Sequence, residues 1–159
     1  SSIGLLGMSQ GGWIAPLAAS KSDDISFVVS MSGAFVTTDE QLLYEEGNNI
    51  HDMGTYMFLA ELIAPLTTKN IQQMDFWLPL AGYDPLPYWE MVDVPAFAAF
   101  GGGDVNVPVE ESIQRLKSLE KEIAYEVYPE GGHGITSPTT GEVQTEYLND
   151  LADFILASN

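Results

Sequence analysis

The residues best suited to chemistry stand near the start of the chain. Gly7-Met8-Ser9-Gln10-Gly11-Gly12 sets a serine among glycines, directly after the apolar run Ile3–Leu6 and before a stretch of helical character. A G-x-S-x-G string is common by chance and gains meaning from that strand-to-helix context. A serine on a tight, strained turn there would stand its hydroxyl clear of a sheet, as a nucleophile requires. Gly7 and Gly11 are expected because Cβ atoms would collide where strand and helix approach so closely. The helix N-terminus at Ser9 favours negative charge developing beside it. The plainer reading is that Ser9 only caps the helix. Two further residues sit in comparable places. Asp104 ends the glycine run Gly101-Gly102-Gly103 just past the apolar run Phe97–Phe100, and His133 lies between Gly132 and Gly134 just past Tyr128. An aspartate so placed can orient a histidine, or merely start a turn. Glycines around His133 imply a mobile or tightly turned loop that presents the imidazole. His51, the other of the two histidines, adjoins Asp52 and reads as surface.

These residues need elements to position them. Four apolar runs, Ile3–Leu6, Phe27–Met31, Ala96–Phe100 and Ala124–Tyr128, predict strands. The first three are nearly continuous, as for parallel strands covered on both faces, whereas the last alternates and suits a sheet edge. Helical segments follow at Gln10–Ser20, Val109–Glu122 and Glu142–Ser158, so strand alternates with helix and a parallel α/β sheet is predicted. From about Thr37 to Met91 that rhythm breaks. Glu40–Glu46, Thr55–Ala64 and Asn70–Leu78 read as helices punctuated by Gly47, Gly54, Pro65 and Pro79. The predicted organisation is an α/β core of residues 1–36 and 92–159 with a helical insertion, 37–91. That insertion is either ordinary core helices or a lid over an apolar pocket. Pro16, about two turns into the first helix, predicts a kink or an early end.

Composition removes whole classes of function. Five Lys+Arg against 23 Asp+Glu give a net charge of −18, which repels phosphate backbones and anionic membranes, so no nucleic-acid partner is expected. The apolar fraction of 45% over 159 residues argues for one folded domain rather than disorder. With no cysteine there is no disulfide scaffold, zinc ribbon or thiol nucleophile, and both a cytoplasmic and a secreted bacterial location stay open. No apolar run approaches the roughly 20 residues of a membrane span, and no signal peptide is visible.

Ser9, Asp104 and His133, in that order and each on a loop after a strand, resemble the α/β-hydrolase superfamily and its esterase and serine-aminopeptidase-like branch. The resemblance rests on Gly7–Trp13, Gly101–Pro108 and Gly132-His133-Gly134, with Tyr83–Trp89 leading to Val94-Pro95 like the approach to the family's seventh strand. It implies Ser9 as nucleophile, His133 as general base and then acid, and Asp104 as the group that fixes the imidazole tautomer. It also implies the Gln10 backbone N–H as an oxyanion-hole donor, Gly7 and Gly11 as the nucleophile elbow, and neither metal nor organic cofactor. The family sheet has eight strands, and this chain resembles its carboxy-terminal half, strands five to eight, with a helical lid insertion. The second oxyanion donor of the family lies on a loop after its third strand and is expected to be missing, which puts activity of this chain by itself in doubt.

The strand Ile3–Leu6 would then expose an apolar edge, and self-association or pairing with an amino-terminal piece is expected through it. The expected function is hydrolysis of a carboxylic ester or small acyl substrate, with Trp13, Met57, Phe58, Phe76 and Trp77 as candidates for an acyl pocket, or else plain core. One alternative is a serine peptidase that holds a substrate amino terminus with Glu45 or Glu46. The other is a non-catalytic binding module on the same fold.

Overall fold

Strand β1 (Ile3–Met8) pairs in parallel with β2 (Ile25–Met31), β2 with β3 (Ala96–Gly101), and β3 with β4 (Ala124–Tyr128), giving a single sheet in the order β1-β2-β3-β4. The computed structural model describes residues 2–158. Central strands β2 and β3 are almost wholly buried, and Ala98 and Ala99 let layers close in on both faces. One core joins Ala15, Val28, Phe35, Trp89, Phe100 and Leu116, so α1 (Gln10–Ala19), α4 (Leu86–Glu90) and α5 (Val109–Lys117) cover that face. Phe35 stacks on Trp89 with centroids 5.0 Å apart. The opposite face packs Phe27, Val29, Phe97 and Tyr128 against Tyr147 and Phe154 of α6 (Thr145–Ala157). The strand edges differ as the residues dictate. β4 alternates between exposed and covered positions, while β1 leaves Ile3 and Leu6 more than half exposed along its unpaired edge.

Between β2 and β3 lie α2 (Thr38–Asp52) and α3 (Met57–Ile71), packed on each other. Here several expected boundaries are wrong. Helix α2 begins earlier and runs longer than Glu40–Glu46, because Thr37 and Glu40 form a reciprocal capping box and Gly47 is accommodated inside it. Gly54, at φ 94°, does end it. Pro65 lies within α3 rather than between helices. The third helix expected at Asn70–Leu78 does not form. After Ile71 the chain continues in turns, with bonds such as Trp77 N–H to Met74 O at 2.9 Å and Leu80 N–H to Trp77 O at 2.7 Å. Pro79 has no N–H to extend a helix there. Pro16 ends nothing either: α1 runs through it to Ala19, and Pro16 itself is buried. Helices α5 and α6 are shorter than their apolar patterns suggested.

Candidate active site

At the end of β1 the backbone turns sharply into α1 on Ser9, whose φ of 54° and ψ of −118° lie outside the regions an L-residue prefers. Such a conformation costs about 1–3 kcal/mol and persists because its surroundings enforce it. Ser9 N–H donates to Met31 O at 2.9 Å, and Gly12 N–H donates to Ser9 O at 2.8 Å. A Cβ on Gly7 would lie 2.0 Å from Gly11 O, so the turn requires glycine there. Gly11 corrects the expectation, since a Cβ on it would meet nothing within 4 Å. The close approach falls on Gly12 instead, where a Cβ would lie 2.7 Å from Gly33 Cα. Gln10 opens α1, and the first-turn N–H groups of a helix have no partner inside it.

Two glycine-rich loops bring Asp104 and His133 together. Gly102 N–H donates to Tyr128 O and Gly103 N–H to Gly131 O, each at 2.8 Å. A Cβ on Gly101 would lie 2.1 Å from Gly132 O. Glycines in these loops thus let two strand exits touch backbone to backbone. Asp104 Oδ2 meets His133 Nδ1 at 2.9 Å, and Asp104 Oδ1 accepts the N–H groups of Asn106 at 2.8 Å and Val107 at 3.1 Å. The Asp104 side chain is wholly buried, and the His133 side chain keeps 25% of its exposure. Immediately beyond, Ile135 is fully buried at φ 48°, donates its N–H to Gly132 O at 2.9 Å and accepts from Gln144 N–H at 3.0 Å. The histidine loop is therefore a tight, pinned turn. The Asp104 hydrogen bond, partly opposed by burial and reinforced by the charges of Asp104 and Glu45, raises the His133 pKa above its usual 6.5.

Ser9, Gln10 and His133 face one cavity of about 130 Å³, together with Trp13, Gln41, Leu42, Glu45, Trp77 and Asn106. No hydrogen bond joins Ser9 to His133 among the described residues; the shared cavity is what unites them. Of the pocket candidates, Trp13 and Trp77 are brought to this cavity. Phe58 and Phe76 are about two-thirds exposed away from it, and Met57 lines a separate groove of about 830 Å³ between α2, α3 and α5. Glu45 reaches the cavity, whereas Glu46 bonds Asn49 on its own helix. His51 is exposed, as expected, and bonds Thr55 O.

The sequence reading missed Gln41 and Asn106. Asn106 had a local signal, since an aspartate two residues earlier commonly accepts its N–H in a turn. Gln41 had one only in being a helical turn before Glu45. Helix α2 is tied to the aspartate loop at three points: Tyr44 Oη to Asp104 O at 3.2 Å, Asn48 Nδ2 to Val105 O at 2.9 Å, and Asn106 Nδ2 to Glu45 Oε1 at 2.9 Å.

The sequence matches the family model described as BAAT / Acyl-CoA thioester hydrolase C terminal over residues 1–155. No curated protein matches it. Among solved structures, an esterase from Pyrococcus furiosus superposes with a TM-score of 0.62 at 17% identity, over 98% of this chain and 54% of the esterase. A meta-cleavage product hydrolase from Pseudomonas fluorescens gives 0.64 at 18%, over 99% of this chain and 66% of that one. An acylaminoacyl peptidase from Pyrococcus horikoshii gives 0.58 at 20%, over 98% of this chain and 23% of the peptidase. These likenesses show the α/β-hydrolase fold, and the chain spans about half the length of the esterase it resembles.

Proposed function

Since the chain belongs to the BAAT / Acyl-CoA thioester hydrolase C-terminal family, we propose that it is the catalytic portion of a serine hydrolase that cleaves a carboxylic ester or thioester through an acyl-enzyme on Ser9. The observation that supports this most is a single one. A serine on a strained strand-to-helix turn shares a small cavity with a histidine whose Nδ1 is held by a buried aspartate. In this reading Ser9 Oγ attacks the acyl carbonyl carbon while His133 Nε2 takes its proton. Asp104 keeps the remaining ring proton on Nδ1 and steadies the imidazolium that forms. In the same reading the Gln10 N–H, at the head of α1, donates to the oxyanion. Collapse of the tetrahedral adduct breaks the bond to the alkoxide or thiolate, which leaves with the proton from Nε2. Water then attacks the acyl carbon by the same route, giving the free acid and restoring Ser9.

A fluorophosphonate probe tests the assignment. Mass spectrometry should place the adduct on Ser9, and labelling should vanish in Ser9→Ala and fall steeply in His133→Ala. A probe that leaves Ser9 unmodified in the complete protein would refute it and favour a non-catalytic module. A second reading, peptidase action at a free amino terminus, draws support from Glu45 in the cavity. Parallel assays on an aminoacyl amide and a p-nitrophenyl ester separate the two. The insertion α2–α3 serves in this proposal as a cap over the acyl site, with α2 as its inner wall.

A further inference from the structure

Helix α3 is turned the opposite way from an ordinary surface helix. Ala60, Ala64 and Thr68, each one turn from the next, are its buried residues. On that side α2 approaches so closely that a Cβ on Gly47 would meet the Ala64 Cβ at 4.0 Å. With 3.6 residues per turn, the opposite face is Phe58, Leu62 and Leu66. These three are 67%, 72% and 67% exposed, and the partly exposed Leu59 and Ile63 flank them. Tyr56, 75% exposed, stacks on Phe58 with ring centroids 6.2 Å apart and extends the face by one aromatic ring. Small residues turned inward and large ones outward reverse the usual amphipathic order. The six large side chains together leave on the order of 700 Å² open to water, above the roughly 300–600 Å² of the largest apolar patch on a typical monomer.

From this geometry we propose that the Phe58, Leu62 and Leu66 face of α3 is the contact surface for a second copy of this chain, joined about a twofold axis beside Leu62. A standard interface takes about 800 Å² from each partner, and this face supplies nearly that much by itself. The sequence of the face also suits pairing with itself. Phe58 and Leu66 lie four residues to either side of Leu62, so two antiparallel copies of α3 set Phe58 of one against Leu66 of the partner subunit, and the contact is made twice. In a chain with 23 acidic residues, α3 carries only Glu61 and Lys69 as charged side chains, and no carboxylate of α3 belongs to the Phe58, Leu62 and Leu66 row. Repulsion between two chains of net charge −18 is screened beyond about 8 Å at physiological salt. The same charge counts against an anionic lipid surface as the occupant. This surface belongs to the helical insertion and is separate from the open edge of β1.

Sedimentation velocity and cross-linking test it together. Wild type should associate as its concentration rises, and more strongly as salt is raised from low to physiological levels. Leu62→Glu should weaken that association by about a hundredfold or more, because each copy then brings a carboxylate to the centre of the contact. Leu62 is exposed, so the urea midpoint of the variant should match wild type and exclude a folding defect. The chain has no cysteine, so Leu62→Cys introduces a single thiol, which a short bismaleimide should join into a covalent dimer at concentrations where wild type associates. A strictly monomeric wild type would overturn the proposal. So would association that Leu62→Glu leaves unchanged, which would assign it to the β1 edge, or a Leu62→Cys thiol that does not cross-link. Binding of monomeric wild type to phosphatidylcholine vesicles, lost in Leu62→Glu, would overturn it in favour of a lipid surface.

Discussion

In Asp104→Asn a single carbonyl oxygen survives, and the backbone decides where it goes. The N–H groups of Asn106 and Val107 converge on Oδ1 at 2.8 and 3.1 Å, so the carboxamide oxygen must take that place. The amide nitrogen then occupies the Oδ2 position and points an N–H at His133 Nδ1, 2.9 Å away. A donor there demands a lone pair on Nδ1, which moves the ring proton to Nε2. Nε2, the nitrogen that serves Ser9 in the proposed mechanism, can no longer accept a proton. By comparison with serine hydrolases in general, such a tautomer swap lowers kcat by about 10⁴, or about 5–6 kcal/mol of barrier. The fold should tolerate the change, because both backbone bonds keep their acceptor. Asp104→Ala, which strips both, should cost about 1–3 kcal/mol of stability for each orphaned N–H. The assay is the rate of fluorophosphonate labelling and of p-nitrophenyl ester hydrolysis, set beside the urea midpoint. Labelling of Ser9 in Asp104→Asn within about tenfold of wild type, at an unchanged midpoint, would refute the reasoning.

If His133 is the base of the proposed mechanism, activity should rise with pH along an acid limb centred above 6.5, because the imidazole must then be neutral and its pKa is raised by Asp104 and Glu45; Glu45→Gln should move that limb to lower pH. The same raised pKa means that pairing of protonated His133 with Asp104 stabilises the fold fully below the unfolded value of about 6.5, and that this contribution is lost as pH climbs through the folded value. Urea titrations of wild type and His133→Gln across that window should therefore converge at high pH. Gly7→Ala and Gly11→Ala should part company: the first drives a Cβ to 2.0 Å from Gly11 O and costs about 2–3 kcal/mol or prevents folding, while the second finds open space and gains up to about 1 kcal/mol of helix propensity. Ser9→Gly should raise the melting temperature, since glycine accepts φ 54° without the strain of about 1–3 kcal/mol, and an unchanged melting temperature would count against strain at the turn. Association of the chain with a second copy through the unpaired edge of β1 is expected in sedimentation velocity as a concentration-dependent shift, and a strictly monomeric profile would refute it.

Local patterns determined the strands, because nearly continuous apolar runs such as Phe27–Met31 have one comfortable fate, a strand covered on both faces. They also marked Ser9, Asp104 and His133, because glycines on a loop after a strand are a local sterical demand written in residue types. The insertion was less legible. Its apolar residues surround α3 instead of lining one face, so periodicity could set neither its ends nor its exposed side, and the pocket candidates Phe58 and Phe76 do not line the cavity of Ser9. The capping box at Thr37 and Glu40 was the unused clue to where α2 begins. Only the tertiary structure decided that α2 crosses to the aspartate loop and brings Gln41, Glu45 and Asn106 to the cavity of Ser9. Those contacts span about sixty residues of chain, and no local pattern encodes which helical turn will come to rest above a distant loop; the hydrogen bonds of α2 to the aspartate loop set it.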